Sequence, residues 1–313
     1  MGTNQIEFSE VFKYELAAVP PSLFYDSGDA RYPNNKSVLM NKLKHEQSSR
    51  GFSFDAIFID GGGLLYKIYW PSNGTVGDLV DGLEKYTRKL NADADVFIVF
   101  DRYMERSIKS DTRQARIGSF RRCHQLALDR KLPPREMCLS SSATKENLIE
   151  IIAQELIVRY KNSVSSHKLV IKSKNEVPQE IHYGIEINRT DLRSNFDEAD
   201  YVIQQQVHSI VKQGDRNSIK IISSDTDVFV LLCSNFLAND WSSANIFMET
   251  FIDNSKLINI NKSVEYNKDI VPSLVALHAL TGCDSVPMMF GIGKAKGFKA
   301  LKVTALTSVG KSL

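Results

Sequence analysis

The stretch IISSDTDVFVLL, residues 221–232, interrupts an apolar run with two aspartates one residue apart, Asp225 and Asp227. A short acid where a chain leaves a strand is an ordinary turn former, because its carboxylate accepts from nearby backbone amides. Two of them at the end of a buried strand have a second use: together they can grip a cation that polarises a substrate oxygen. Further acids occupy similar places. Asp60 ends the apolar run FDAIFID, Asp101 ends DVFIVFD, Glu198 and Asp200 open the helical pattern of DEADYVIQQQVHSIVKQ, and Asp284 follows another in LTGCDS. Seven carboxylates gathered in one place repel one another, and cations are the simplest relief. Oxygen ligands without a Cys/His cluster point to Mg²⁺ or Mn²⁺ rather than structural zinc.

Such a gathering needs elements that bring distant acids together. FDAIFID (54–60) and DVFIVFD (95–101) read as buried strands. Between them TVGDLVDGLEKYTRKL carries Val76, Leu79, Val80, Leu83 and Leu90 at helical spacing behind a Thr75 cap. The alternation continues with a helix in TKENLIEIIAQELIVRY, strands in KLVIK and EIHYGIEI, a helix from DEAD onward, a strand in SIKIISS, and helices in VPSLVALHAL and KAKGFKALKV. Strands alternating with helices imply an α/β fold, a mostly parallel central sheet with helices on both faces. Ligands of such sheets collect beyond the carboxyl ends of the strands, where these acids would meet. Residues 1–52 are polar and broken by VPPS and YPNN, with one helical stretch, KSVLMNKLKHE. They read as an N-terminal extension ahead of a domain over 53–313.

Composition narrows the class. A chain of 313 residues with 42% hydrophobic residues is globular and holds a sizeable core. A formal charge of +2 is too small to announce nucleic acid by bulk charge, so any basic surface is local. The four cysteines (Cys123, Cys138, Cys233, Cys283) form no CxxC pair and show no disulfide-like spacing. No apolar stretch approaches the roughly 20 residues of a membrane span, and MGTNQIEFSE lacks the features of a signal peptide. The expectation is a soluble intracellular protein, of the nucleus or cytoplasm, with no membrane partner.

The ordered set FIDGGG, IVFD, DEAD, SSDTD and LTGCDSVPMMFGIGKAKG resembles the flap endonuclease family, the XPG-like nucleases with a PIN-type fold. The likeness runs from about residue 54 to 300 in family order, and VFKYELAAVPPSLFYDSG and DRYMERSIKSDTRQAR are similar to a group of animal proteins carrying this domain. The resemblance implies a metal-dependent nuclease, an endonuclease, that hydrolyses DNA or RNA. Two ions, Mg²⁺ or Mn²⁺, would be held by Asp60, Asp101, Glu198, Asp200, Asp225, Asp227 and Asp284. Asp200 stands where the family usually carries Glu, and this shorter acid motivates an alternative, a catalytically inactive nucleic-acid-binding protein that retains the fold. The strand pair of KLVIKSKNEVPQEIHYGIEI, within an insertion over about 120–190, departs from the helical arch and cap expected there.

Basic residues follow. Lys109, Arg113 and Arg116 fall on one face if their segment is helical. The resemblance assigns Lys109 and Arg116 to steering the scissile phosphate, and all three to nucleic-acid binding; an ordinary solvated face is the plainer reading. GIGKAKG, residues 291–297, resembles the family's helix-turn-helix over about 280–303, with Gly291 and Gly293 permitting phosphate approach and Lys294 adding charge. A simple helix start accounts for the same residues. DEAD alone does not make a helicase: an ATPase needs a phosphate loop, and the Gly-Lys-Ser at 310–312 has Ala305 where the first glycine belongs. His278, on an apolar helix, reads as a core residue.

Overall fold

Short apolar runs become the strands of one sheet: β1 (Glu46–Ser48), β2 (Ala56–Asp60), β3 (Asp95–Val99), β4 (Leu169–Lys172), β5 (Gln179–His182), β6 (Ile185–Asn188), β7 (Ser218–Ile222), β8 (Asn245–Glu249) and β9 (Lys256–Asn259). The computed structural model describes residues 19–33, 35–102, 125–163, 165–214 and 216–309, with side chains to residue 303. Among these residues the strands lie in the order β1-β9-β8-β7-β2-β3-β4-β5-β6. The five from β8 to β4 are parallel, and antiparallel pairs flank them on both sides. Parallel centre strands are apolar throughout because both faces are covered; every residue of β3 is buried.

The helices, in chain order, are α1 (Ser37–Leu43), α2 (Gly61–Lys67), α3 (Val76–Asn91), α4 (Arg135–Ser140), α5 (Ser142–Lys161), α6 (Ala199–Gln213), α7 (Thr226–Ala238) and α8 (Ile260–Tyr266). Pleating sends alternate strand residues to opposite faces. Ile57, Ile59, Val96, Ile98, Leu169 and Ile171 pack on one face against Leu79, Val80 and Leu83 of α3 and Leu148, Ile152 and Leu156 of α5. On the other face Phe58 and Phe97 stack at 4.4 Å, and α6 covers β2 and β3. The α3 start is a full capping box, in which Thr75 Oγ1 accepts from the Asp78 amide and Asp78 accepts from the Thr75 amide.

This sheet belongs to one compact unit, residues 40–272; a second comprises residues 1–39 and 273–313. The division differs from the boundary expected at residue 52. Residues 46–48, expected in an extension, pair with β9, Glu46 opposite Ile258. Within the stretch expected as an insertion, β4 is a parallel neighbour of β3. The run EIHYGIEI, expected as a strand, is a hairpin. Tyr183 and Gly184 both have positive φ, 51° and 75°, the two-residue turn that joins tightly twisted antiparallel strands. Among the described residues no helix is long and apolar enough to cross a membrane.

The second unit holds α9 (Leu274–Leu280) and α10 (Lys294–Val309). The α10 backbone comes close to α9 at Gly297, where a Cβ would stand 2.5 Å from Thr281 Cγ2. The Arg31 guanidinium lies over the rings of Tyr25 and Phe290, at 4.2 and 4.8 Å from their centroids, and the Met288 amide donates to the Arg31 carbonyl.

Two glycines separate backbone effects. Gly82 lies inside α3 with only Ile68 Cγ1 near a Cβ, at 3.9 Å, so Gly82→Ala is expected to raise stability by about 0.5–1 kcal/mol. Gly184→Ala imposes a left-handed conformation on alanine and sets its Cβ 2.9 Å from the Lys161 carbonyl; a loss of about 1–2 kcal/mol is expected. Chemical denaturation reads both, and equal effects would contradict the turn assignment.

Candidate functional site

The register of the parallel strands sets where the acids emerge. Ile59 lies opposite Ile222 of β7, and Asp60 opposite Val99 of β3. Asp60 therefore leaves β2 level with Ser223 beyond β7 and Phe100–Asp101 beyond β3. Its Oδ2 accepts from the Ser223 hydroxyl at 3.1 Å, and the same hydroxyl oxygen accepts from the Asp225 amide at 3.1 Å. Its Oδ1 accepts from the Gly63 amide at 3.0 Å, capping α2. A Cβ on Gly62 would lie 3.3 Å from Asp60 Oδ1 and 3.9 Å from Asp101 Oδ2, so both carboxylates border this one residue.

The remaining acids of this unit join through helix starts. Asp101 Oδ1 accepts from the Ala199 amide at 3.0 Å, which ties the exit of β3 to the first turn of α6. Glu198 is the N-cap residue of that helix and Asp200 lies in its first turn. Asp225 caps α7, its Oδ1 accepting from the Asp227 amide at 2.9 Å. Carboxylate oxygens of Asp200, Asp225 and Asp227 all lie within 4.8 Å of one another, each side chain half-buried. A separation of that order suits shared oxygen coordination of a hard divalent cation, which takes carboxylates mono- or bidentately.

Electrostatics agree with the geometry. Burial, opposed by the Gly63 amide bond, pushes the Asp60 carboxyl up to about 6; Asp101 and Asp225 push the same way, against the Ser223 hydroxyl. A carboxyl raised by burial and by its neighbours' charge is one that a cation would return to its ionised form.

Of the other expected residues, Asp284 belongs to the second unit, where its carboxylate pairs with Lys36. Lys109, Arg113 and Arg116 lie outside the described residues. Gly291 has φ +71°, and a Cβ at Gly291 or Gly293 would meet nothing within 4 Å. Lys294 differs from its expected display of charge: it is 3% exposed, with Nζ 2.9 Å from His278 Nδ1 and 2.7 Å from the His278 carbonyl. It fastens α10 to the end of α9, which also accounts for His278 as a buried residue.

Several residues carry the site without drawing notice in the sequence. At Gly61 a Cβ would sit 2.4 Å from the Phe100 ring, and at Gly63 one would sit 2.3 Å from the Phe251 ring. The GGG run thus lets two aromatic rings close on the backbone beside the acids. Ser224 Oγ holds Phe251 by accepting from its amide at 2.9 Å. Arg102, just past Asp101, binds Asp197 through Nε at 2.7 Å. Lys172, at the end of β4, is 1% exposed, and burial, with the positive charge of Arg102, holds its ammonium down to about 8. The adjoining serines of SSD were the legible signal; a buried lysine at a strand end was not.

No protein-family model and no curated protein matches the chain. Solved structures similar to it include the catalytic core of Rad2 in complex with DNA substrate, with TM-score 0.48, 14% identity, 85% of this chain covered and 66% of that one. Human GEN1 in complex with Holliday junction DNA gives 0.47, 13%, 86% and 55%, and flap endonuclease-1 from Methanococcus jannaschii 0.43, 14%, 88% and 80%. The chain spans less than two thirds of the length of the first two.

The raised Asp60 carboxyl generates a pH signature. Its folded value, about 6, exceeds the ordinary 3.8, so the stability it contributes is complete at low pH and is lost as pH climbs through about 6. In metal-free protein that contribution should fall between about pH 4 and 6.5 and vanish in Asp60→Asn. Mn²⁺ should raise Tm more at about pH 7.5 than at about pH 5. A metal shift larger at the acid end would contradict this electrostatic account.

Proposed function

We propose that the protein is a divalent-metal-dependent nuclease that hydrolyses phosphodiester bonds of DNA or RNA as an endonuclease. The observation that carries the reading is the meeting of Asp200, Asp225 and Asp227 within 4.8 Å, joined to Asp60 and Asp101 by hydrogen bonds at the carboxyl end of a parallel sheet. Charges this close and half-buried are costly unless a counter-charge joins them. The donor set is all oxygen, which fits Mg²⁺ or Mn²⁺. When bound, such ions supply Lewis-acid polarisation of a phosphate oxygen and a more acidic water.

The chain's own residues then have distinct work. Asp225 at the N-cap of α7, Asp227 on its first turn, and Asp200 on the first turn of α6 would hold the cation-binding oxygens on rigid elements. Asp60 and Asp101, fixed by the Gly63 and Ala199 amides, extend the ligand set toward β2 and β3. Glu198 at the start of α6 completes it in this reading. Lys109, Arg113 and Arg116 would neutralise the phosphate, Lys109 and Arg116 nearest the scissile bond, and in the second unit Gly291 and Gly293 would permit close approach of a nucleic-acid backbone.

Labelled flap, single-stranded and duplex substrates of DNA and RNA, each with Mg²⁺, Mn²⁺ or EDTA, test this. Cleavage is expected with either ion and not with EDTA. Asp225→Asn is expected to lose more than about 100-fold in rate. Asparagine still caps a helix, so without metal the variant should fold at least as stably as wild type, having lost one of the repelling charges. Wild-type cleavage by Asp225→Asn would reduce Asp225 to a turn residue. Binding without cleavage by wild type under any divalent ion would favour the inactive nucleic-acid-binding alternative.

A further inference from the structure

The α6 start that carries Glu198 and Asp200 also carries two aromatic rings. Phe196 and Tyr201 stack with centroids 5.4 Å apart and planes inclined by 22°, yet remain 48% and 49% exposed. A pair that merely stapled the helix start would join the residue before the N-cap to the fourth helical residue. Those positions are Asp197 and Val202; Val202 is buried and faces the core. Phe196 and Tyr201 each lie one residue before those positions, with about half their surface left in water.

The platform is also held still. The loop before it is anchored by the Arg102 amide on the Asp197 carbonyl at 2.7 Å, by Arg102 Nε on Asp197 Oδ1 at 2.7 Å, by the Phe196 amide on Ser194 Oγ at 3.3 Å and by Gln205 Nε2 on the Arg193 carbonyl at 2.8 Å. A surface fixed in advance loses little freedom on binding. Arg193, three residues before Phe196, keeps 63% of its side chain exposed beside Glu176.

We propose that Phe196 and Tyr201 form a stacking platform for an unpaired nucleobase, so that the strand bound at the acids is single-stranded beside the phosphate it presents. This rests on the nuclease reading. Tyr201 directly follows Asp200 on the first turn of α6, so the rings stand at the same helix end as the acids, and the base they would hold lies within a few nucleotides of the phosphate at the acids. An aromatic face accepts any base and reads no sequence. Bases inside a continuous duplex have both faces occupied by their neighbours, whereas flaps, bulges and ends offer one.

The test compares full-length wild type, Tyr201→Phe, Tyr201→Leu and Phe196→Leu on short single strands, in DNA and RNA versions. Each strand is made either with all its bases or with abasic sites along its length. Ca²⁺ replaces Mg²⁺ during binding, and cleavage is measured separately with Mg²⁺ or Mn²⁺. Wild type and Tyr201→Phe are expected to prefer the base-bearing strand roughly tenfold, and 2-aminopurine in that strand should be quenched. In both leucine variants, which keep apolar packing at the helix start, the preference should shrink toward parity. A ratio seen with only one sugar identifies that nucleic acid as the bound strand. An unchanged ratio in the leucine variants, with cleavage intact, overturns the platform and leaves the nuclease reading standing. Wild type that neither binds nor cleaves any strand overturns both.

Discussion

Repulsion between carboxylates is the constraint on which the centre of the fold depends. Burial, together with the charges of Asp101 and Asp225, raises the proton affinity of Asp60, and no local preference would bring these three acids together from positions so far apart in the chain. The register of β7, β2 and β3 does so, by ending three neighbouring parallel strands at one level. That register is secured by apolar burial on both faces, since a slip of one residue would turn Ile57 and Ile59 away from α3 and α5. The glycines after Asp60 extend the same logic, because Phe100 and Phe251 fill space that Cβ atoms would otherwise take.

The choice between turn former and cation ligand dissolves at these aspartates. Asp60 caps α2 and Asp225 caps α7, while Asp101 receives the Ala199 amide of α6. Each amide bond stabilises an ionised carboxylate in place and orients it. In the proposed reading, the hydrogen bonds that make an acid a good cap would also make it a rigid ligand. Ser223 links two of these caps, its hydroxyl donating a hydrogen bond to Asp60 while accepting one from the Asp225 amide.

Much of this was legible because the signals were local. Apolar runs ending in Asp announced β2 and β3, and the spacing of Leu79, Val80 and Leu83 behind Thr75 announced α3 with its cap. Features that depend on distant partners were not. Tyr183–Gly184 looks like strand interior until the antiparallel partner is known, since tyrosine seldom adopts positive φ. The short strands β8 and β9 carry little periodicity, and their pairing defines them. Lys294 read as surface charge because nothing near it in sequence names His278 as its neighbour. Phe196 and Tyr201 flank the acids in plain view, but their stacking and exposure are properties of the fold alone.

Electrostatic balance ties the site to the rest of the chain. A net charge of +2 draws little polyanion, and several cations near the acids already serve the fold. Arg102 is bound to Asp197, Lys174 to Glu150 at 2.6 Å, Lys67 to the Phe251 carbonyl at 2.7 Å, and Lys172 is sealed from solvent at the end of β4. Among the described residues, a phosphate approaching Asp60, Asp200 and Asp225 meets their negative charge. In the proposed reading divalent cations must reverse that sign before a strand can settle, which makes metal a condition of binding as well as of cleavage. It also explains how carboxylates, the groups least suited to a phosphate, can form the floor of a phosphate site.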